Sequence, residues 1–237
     1  MCHNTSMEAL PMRQLGSFLL GDGLGGSGVH WNGMCSRWFP YDFQIKTLTE
    51  QRYGKNKLSA DYTLHDWGVT YDDLEKHYNR FEKLCGVSGA AGVDKFERKR
   101  STKEYPLPPL VKTPIMEKFE KATKKLGYSP YIITAAIASD SYTNEYGCTL
   151  APCQYCAYCE RFGCEYDAKA EPINVTIPAT MQSGKFDLRC NANVVEIVKQ
   201  GNKVTGVKYT NTLTLEEFIQ PADMVVLGGY VIQTLAF

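Results

Sequence analysis

A mixture of helices and strands, an α/β or α+β arrangement, is the fold class predicted for this chain, and three observations predict it. Two segments carry the pattern of capped amphipathic helices, a later stretch alternates apolar and polar residues about a glycine turn, and a short apolar run ends on a pair of glycines. With 237 residues, 43% of them hydrophobic and 12% aromatic, one large domain or two small ones can bury a core.

Taken in order, the first distinct unit is the segment from Gly21 to Gly33, with six glycines in thirteen positions. Glycines tolerate positive φ and leave amide N–H groups uncovered, which suits a pyrophosphate or the edge of a planar cofactor. A flexible surface loop has a similar composition. Val29, His30, Trp31 and Asn32 are unlike linker residues and favour the binding reading. Thr70, three residues before Asp73, opens a capped helix with Leu74, Tyr78, Phe81 and Cys85 on one core-facing stripe and Gly86 past its end. Tyr105-Pro-Leu-Pro-Pro109 reads as an extended connector. Thr113 and Pro114 then open a second helix, where Ile115, Phe119, Ala122 and Leu126 repeat the spacing and Gly127 closes it. Its face of Lys118, Lys121 and Lys125 is expected to be solvated.

The chain next places four thiols in twelve residues, Cys153-Gln-Tyr-Cys156-Ala-Tyr-Cys159-Glu-Arg-Phe-Gly-Cys164. Thiolates are soft anionic donors, so this run suits an iron–sulfur cluster or a structural zinc. Redox or unligated thiols are a third reading. The spacing is one residue longer than the bacterial ferredoxin run, and no proline follows the last cysteine, which favours a single cluster carried by a larger protein. Tyr155, Tyr158 and Phe162 are candidates to shield such a centre. Beyond it, Val195 and Ile197, then Val204, Val207 and Tyr209, flank Gln200-Gly-Asn202 and predict a hairpin. Asp223-Met-Val-Val-Leu227 runs into Gly228 and Gly229, as a buried parallel strand does when it delivers the chain to a cofactor.

Composition excludes some classes of partner. Lys plus Arg equals Asp plus Glu at 26 each, so no global field favours nucleic acid or anionic lipid. The five cysteines outside the loop, Cys2, Cys35, Cys85, Cys148 and Cys190, lack the spacing of a disulfide scaffold. No run of eighteen apolar residues and no basic-then-apolar leader is visible.

The stretch Gly25-Gly-Ser-Gly-Val-His-Trp-Asn-Gly-Met34, preceded by Ala9-Leu-Pro-Met-Arg13, resembles the flavin-binding region of glucose-methanol-choline oxidoreductases, and in particular their gluconate and sugar dehydrogenase branch. Asp66-Trp-Gly-Val-Thr-Tyr-Asp-Asp-Leu74 and the cysteine loop resemble two further motifs of that branch, whose sugar dehydrogenases carry a [3Fe-4S] cluster. Thr180 through Asn191-Ala-Asn-Val194 to Val207 is similar to the part reaching the FAD adenine, and Ala222 to Thr234 to the next flavin-domain strand. The resemblance covers essentially the whole chain. It implies a partial FAD-binding, Rossmann-like domain formed by residues 1–60 and 172–237, with 61–171 as an inserted helical, substrate-side segment bearing the cysteine loop. Gly25, Gly26, Ser27, Asn32 and Gly33 would line the flavin and its pyrophosphate, and the Val194 backbone its adenine end. His30-Trp31 matches the pair that, in the related pyranose oxidases, carries a covalent bond from imidazole to flavin, so FAD linked to His30 is an expectation. Cys153, Cys156, Cys159 and Cys164 would hold the cluster, a three-iron centre leaving one of the four free.

The implied reaction is oxidation of a hydroxyl of a sugar or sugar acid, with electrons passing from FAD through the cluster to a cytochrome or quinone. A small subunit, a multihaem cytochrome c and a periplasmic or membrane-associated location follow from the same resemblance. The chain departs from the family in two ways. No Gly-x-Gly-x-x-Gly turn precedes Gly21, and His3, His30, His65 and His77 all lie early, so no catalytic base is assigned. The expectation is an internal part of a longer dehydrogenase that by itself binds FAD weakly. An inactive remnant and a non-enzymatic four-cysteine zinc module are the alternatives.

Overall fold

A computed structural model describes residues 21, 23–59, 61–94, 96–230 and 234. The Ala9–Arg13 motif, His3 and residues 231–233 of the last predicted flavin-domain strand lie outside the described residues. The chain forms mixed helices and antiparallel sheets, divided into two compact units, Met1–Gly184 and Lys185–Phe237.

The first unit contains α1 (Pro40–Phe43), α2 (Ile45–Tyr53), α3 (Tyr71–Cys85), α4 (Pro114–Lys125), the antiparallel pair β1 (Tyr142–Thr143) and β2 (Thr149–Leu150), and the short α5 (Pro172–Val175) and α6 (Ile177–Gln182). Its centre is an extended segment, residues 134–138, that no residue pattern had marked. Ala135 exchanges backbone hydrogen bonds with Ser88, Ala136 N–H donates to Gly33 O, and Ala138 N–H donates to Ala168 O. Leu107 bridges Ser88 from the other side, so the predicted connector contributes a buried residue to the same stack. Alanines suit this position because several extended backbones converge on it. Ala136 and Ala138 are fully buried against Cys85, Val87 and Leu150.

The capped helix forms as predicted. Asp73 N–H donates to Thr70 Oγ1 at 3.3 Å, Thr70 N–H donates back to Asp73 Oδ2 at 2.8 Å, and Gly86 ends α3 in the left-handed region at φ 57°. Its buried face only partly matches the predicted stripe: Cys85 is buried and Leu74 and Tyr78 are half-buried, but polar residues share the face. Tyr71, Asn79, Glu82 and Cys85 are buried, whereas Phe81 is exposed. The cause is Arg37, which lies buried along this face and draws the polar side chains inward. Its five N–H donors are all used: Nε and Nη2 on Glu82, Nη1 on Glu75 and the Tyr71 hydroxyl, and Nη2 on Asn79. Arg100 also grips Glu82 through both terminal nitrogens.

Burial works against the Glu75 carboxylate, but hydrogen bonds from the Ser101 backbone, Arg37, the Ser101 hydroxyl and Asn79 outweigh it and hold the pKa at about 2. A carboxylate held below its unfolded value of about 4.3 contributes stability above that value, and loses it as pH falls toward 2. Acid unfolding followed by circular dichroism is therefore expected to steepen between pH ~4.5 and 2, and Glu75→Gln to flatten that limb. An unchanged slope in the variant would contradict the assignment.

The second predicted helix also forms, as α4, with Thr113 at its N-cap and Pro114 in its first turn. Its apolar face is uncovered among the described residues: Ile115, Phe119 and Leu126 are 76%, 64% and 74% exposed.

The second unit is a three-stranded antiparallel sheet in the order β3 (Ala192–Gln200), β4 (Lys203–Asn211), β5 (Glu217–Pro221). The predicted hairpin is present, turning at Gly201 with φ 62° and pairing Gln200 with Lys203. Gly206 is required where β4 meets β5, since a Cβ there would stand 2.3 Å from Gln220 O. The strand predicted over Asp223–Leu227 is not formed, and Val226 is 83% exposed. A parallel strand needs a neighbouring ladder and cover on both faces, and the described residues supply neither. No helix of the described residues is long and apolar enough to cross a membrane.

Candidate functional site

The glycine segment tightens into a 3-10 turn over Gly26–Val29. Four of its glycines are demanded by the protein's own packing, since a Cβ at Gly21 would stand 2.3 Å from Gly26 C and one at Gly28 2.9 Å from Pro172 Cδ. Gly25, at φ 91°, would put a Cβ 2.8 Å from Val29 Cγ2, and Gly33, at φ 77°, one 2.8 Å from Ile137 Cγ1. Gly23 and Gly26 face open space, with nothing nearer than 3.9 Å to a Cβ at Gly26. This is where a ligand could approach the backbone. Ser27 Oγ accepts Gly21 N–H at 3.0 Å and Asn32 Oδ1 accepts Met34 N–H at 3.0 Å, so both predicted side chains also brace the segment.

At the end of the turn, the Trp31 indole N–H donates to Ala170 O at 2.8 Å and its ring packs on the core. His30 is half-buried, and its Nε2 is shielded from water with no hydrogen-bond partner among the described residues. An orphaned buried nitrogen is costly unless something outside the protein's own atoms meets it. Together with the open backbone at Gly23 and Gly26, this fits a planar cofactor lying against the segment. His65 and His77 are exposed, in a loop and on α3. Val194 lies in the second unit, paired with Tyr209 and followed by a register shift in β3.

Three of the four loop thiols share one wall. Cys153, Cys159 and Cys164 are half-buried and pack against Ala135, Ile137 and Ala168, while Cys156 is exposed. Burial pushes the Cys159 thiol up, with Cys153, Cys164 and Cys156 adding to it and Lys169 opposing. Two sulfurs accept backbone N–H groups, Cys153 Sγ from Tyr155 at 3.4 Å and Cys164 Sγ from Ala168 at 3.3 Å. The backbone is bent for this arrangement. Tyr155, Ala157, Arg161 and Asp167 all hold left-handed φ between 52° and 73°. Tyr155, Tyr158 and Phe162 are exposed, so their rings do not bury the thiols. Among the described residues no group of three or more His, Cys, Asp or Glu side chains stands close enough to hold a single metal ion. The fit of a cluster rests on the donor set, four soft thiols on one loop with N–H groups already aimed at two sulfurs.

The structure brings the two predicted segments together. Arg161 N–H in the cysteine loop donates to His30 O at 3.1 Å. Lys169 Nζ, wholly buried, donates to Val29 O and Trp31 O on one side and to Cys159 O and Phe162 O on the other. Glu171 Oε1 accepts Cys164 N–H at 2.9 Å and stands 3.3 Å from Lys169 Nζ. Sequence reasoning missed Lys169 and Glu171. The signal available for them was the alternation Ala168-Lys-Ala-Glu171 directly after the loop, which places charges between small core residues.

No protein-family model matches the chain. The gluconate 2-dehydrogenase flavoprotein of Pantoea cypripedii is 37% identical to it over an alignment of 241 residues, covering 96% of this chain and 39% of that protein. A 2-methyl-1,2-propanediol dehydrogenase of Mycolicibacterium austroafricanum is 24% identical over 207 residues, 87% of this chain and 34% of its own length. A 6'''-hydroxyparomomycin C oxidase of Streptomyces lividus is 24% identical over 217 residues, 90% and 36% respectively. The chain thus spans no more than 39% of the length of these curated relatives. Similarity along nearly the whole chain to a flavoprotein supports a flavoprotein oxidoreductase.

Proposed function

We propose that the chain is part of a flavin-dependent dehydrogenase of the glucose-methanol-choline type, oxidising a hydroxyl of a sugar or sugar acid. FAD lies along Gly25, Gly26, Ser27, His30, Asn32 and Gly33, with Val194 at the adenine end, and Cys153, Cys156, Cys159 and Cys164 form the loop of a [3Fe-4S] cluster. In this assignment residues 1–60 and 172–237 serve the flavin domain and 61–171 the inserted segment. The observation that carries the reading is the attachment of the cysteine loop to the His30 segment through Arg161 and Lys169. These bonds keep the two segments side by side, and electron passage between two cofactors requires that they lie close together.

When bound, FAD supplies a hydride acceptor and the cluster a one-electron carrier. The chain's own residues hold and orient. The open backbone at Gly23 and Gly26 would admit the cofactor, Trp31 is pinned to Ala170 O, and His30 Nε2, without a hydrogen-bond partner among the described residues, would be the nitrogen linked to it. Cys153, Cys159 and Cys164, half-buried on one wall, would be the ligands of the three irons, with the exposed Cys156 as the fourth thiol. One-electron delivery suits a cytochrome or quinone acceptor, and the proposal takes a small subunit and a multihaem cytochrome c as partners at a periplasmic or membrane-associated site.

The flavin part is tested by acid precipitation of the protein isolated from the cells that make it. Flavin is expected to remain with the precipitate, and to be released when His30→Ala is treated in the same way. Release of all flavin from the unaltered protein would sink the His30 linkage, and absence of flavin from it would sink the flavin reading.

A further inference from the structure

We propose that Lys169 is a positioning residue that staples the His30 segment to the cysteine loop and, with Glu171 as its counter-charge, sets the reduction potential of the centre held there. The proposal rests on the cluster reading of the loop and goes beyond it by naming the residues that tune it. Lys169 sits in the extended run Ala168–Ala170, bridged to Ile137, and its side chain is 0% exposed. Its ammonium has three N–H groups. Around it stand five oxygens: Trp31 O at 2.6 Å, Phe162 O at 2.7 Å, Cys159 O at 3.0 Å, Val29 O at 3.1 Å and Glu171 Oε1 at 3.3 Å. A cation enclosed by carbonyl oxygens is held by all of them at once, so the carbonyls flanking His30 and those of the cysteine loop cannot separate without uncovering it.

A lysine is kept buried and charged only where acceptors replace its water shell, and this one has them. The price is a fixed positive charge beside Cys159, whose carbonyl it holds, and a fixed negative charge on Glu171, which accepts the N–H of Cys164. Asn174 locks the pair in place, its Nδ2 donating to Lys169 O at 3.0 Å and its Oδ1 accepting Glu171 N–H at 2.8 Å. A cluster becomes more negative on reduction, so a nearby cation favours the reduced form and a nearby anion the oxidised form. The two charges form an ion pair 3.3 Å apart, so each offsets the other at the centre, and removing either one leaves the other's pull on the potential uncompensated.

The test is a potentiometric titration, read by electron paramagnetic resonance, on the anaerobically purified protein and on Lys169→Met and Glu171→Gln. Lys169→Met is expected to shift the midpoint to a more negative value and Glu171→Gln to a more positive one. A purely structural role would weaken cluster retention in both variants and leave the midpoints of the clusters that remain unchanged. Equal midpoints in all three proteins with iron retained would overturn the proposal. Should Lys169→Met fail to fold, Glu171→Gln decides alone, since glutamine keeps an acceptor for Cys164 N–H while removing the charge. Failure of the underlying reading looks different: the unaltered protein would then carry no iron, and the proposal would fall with it.

Discussion

Arg37→Met is expected to destabilise the first unit by about 3–5 kcal/mol, the cost of leaving buried charges without their partner. The side chain is 4% exposed and its guanidinium is the hub for Tyr71, Glu75, Asn79 and Glu82. Burial opposes its charge, but the bonds to Glu82, Tyr71 and Glu75 more than compensate and raise its pKa above the ordinary arginine value. With methionine in place, Glu82 keeps Arg100, whereas Glu75 and Asn79 lose a charged donor inside the fold. A domain is stable by only about 5–15 kcal/mol, so the loss is a large fraction of the total. Urea unfolding would show it as a lower midpoint with unchanged slope. A midpoint within experimental error of the parent would mean that this network does not hold α3 to the core.

The second large effect concerns the cysteine loop. Cys159→Ser is expected to abolish the cluster, with the protein losing its iron and brown colour. Cys159 is half-buried on the wall shared with Cys153 and Cys164, feels all three other thiols, and its carbonyl is fixed by Lys169. A serine oxygen is a harder donor and a poor substitute for a thiolate on iron. Cys156→Ser, on the exposed thiol, and Cys190→Ser, in the second unit, are expected to leave the iron in place. Full retention of iron in Cys159→Ser would exclude that residue as a ligand and shift the ligand set toward Cys156.

What was legible in the sequence was set by local chemistry. Thr70 with Asp73, Gly86, Thr113 with Pro114, and Gly201 each act within a turn or two of chain, and each marks the element end that it predicted. The four thiols could be read as candidate ligands from residue type and spacing, whereas the flavin contacts of the His30 segment were implied by the family resemblance. What was not legible depends on partners distant in the chain. The buried face of α3 turned toward Glu82 and away from Phe81 because Arg37, 45 residues earlier, sits against it. The alanine-rich 134–138 segment shows no periodicity, since its role is to let the backbones of Gly33, Ser88 and Ala168 approach. Asp223–Leu227 has strand composition but no ladder to join among the described residues. Lys169 escaped notice because its partners are main-chain carbonyls, which residue types do not reveal. Even the glycines, though legible as a group, divide into different roles: Gly25, Gly28 and Gly33 admit neighbouring side chains, and Gly23 and Gly26 leave open space.

The central claim is that the cysteine loop carries an electron-transferring centre beside the His30 segment. Its most direct test is an electron paramagnetic resonance spectrum, with iron and zinc analysis, of the anaerobically purified protein. The account predicts a [3Fe-4S] signal with matching iron, lost in Cys159→Ser. One zinc per chain and no signal would contradict it and make the loop a structural metal site.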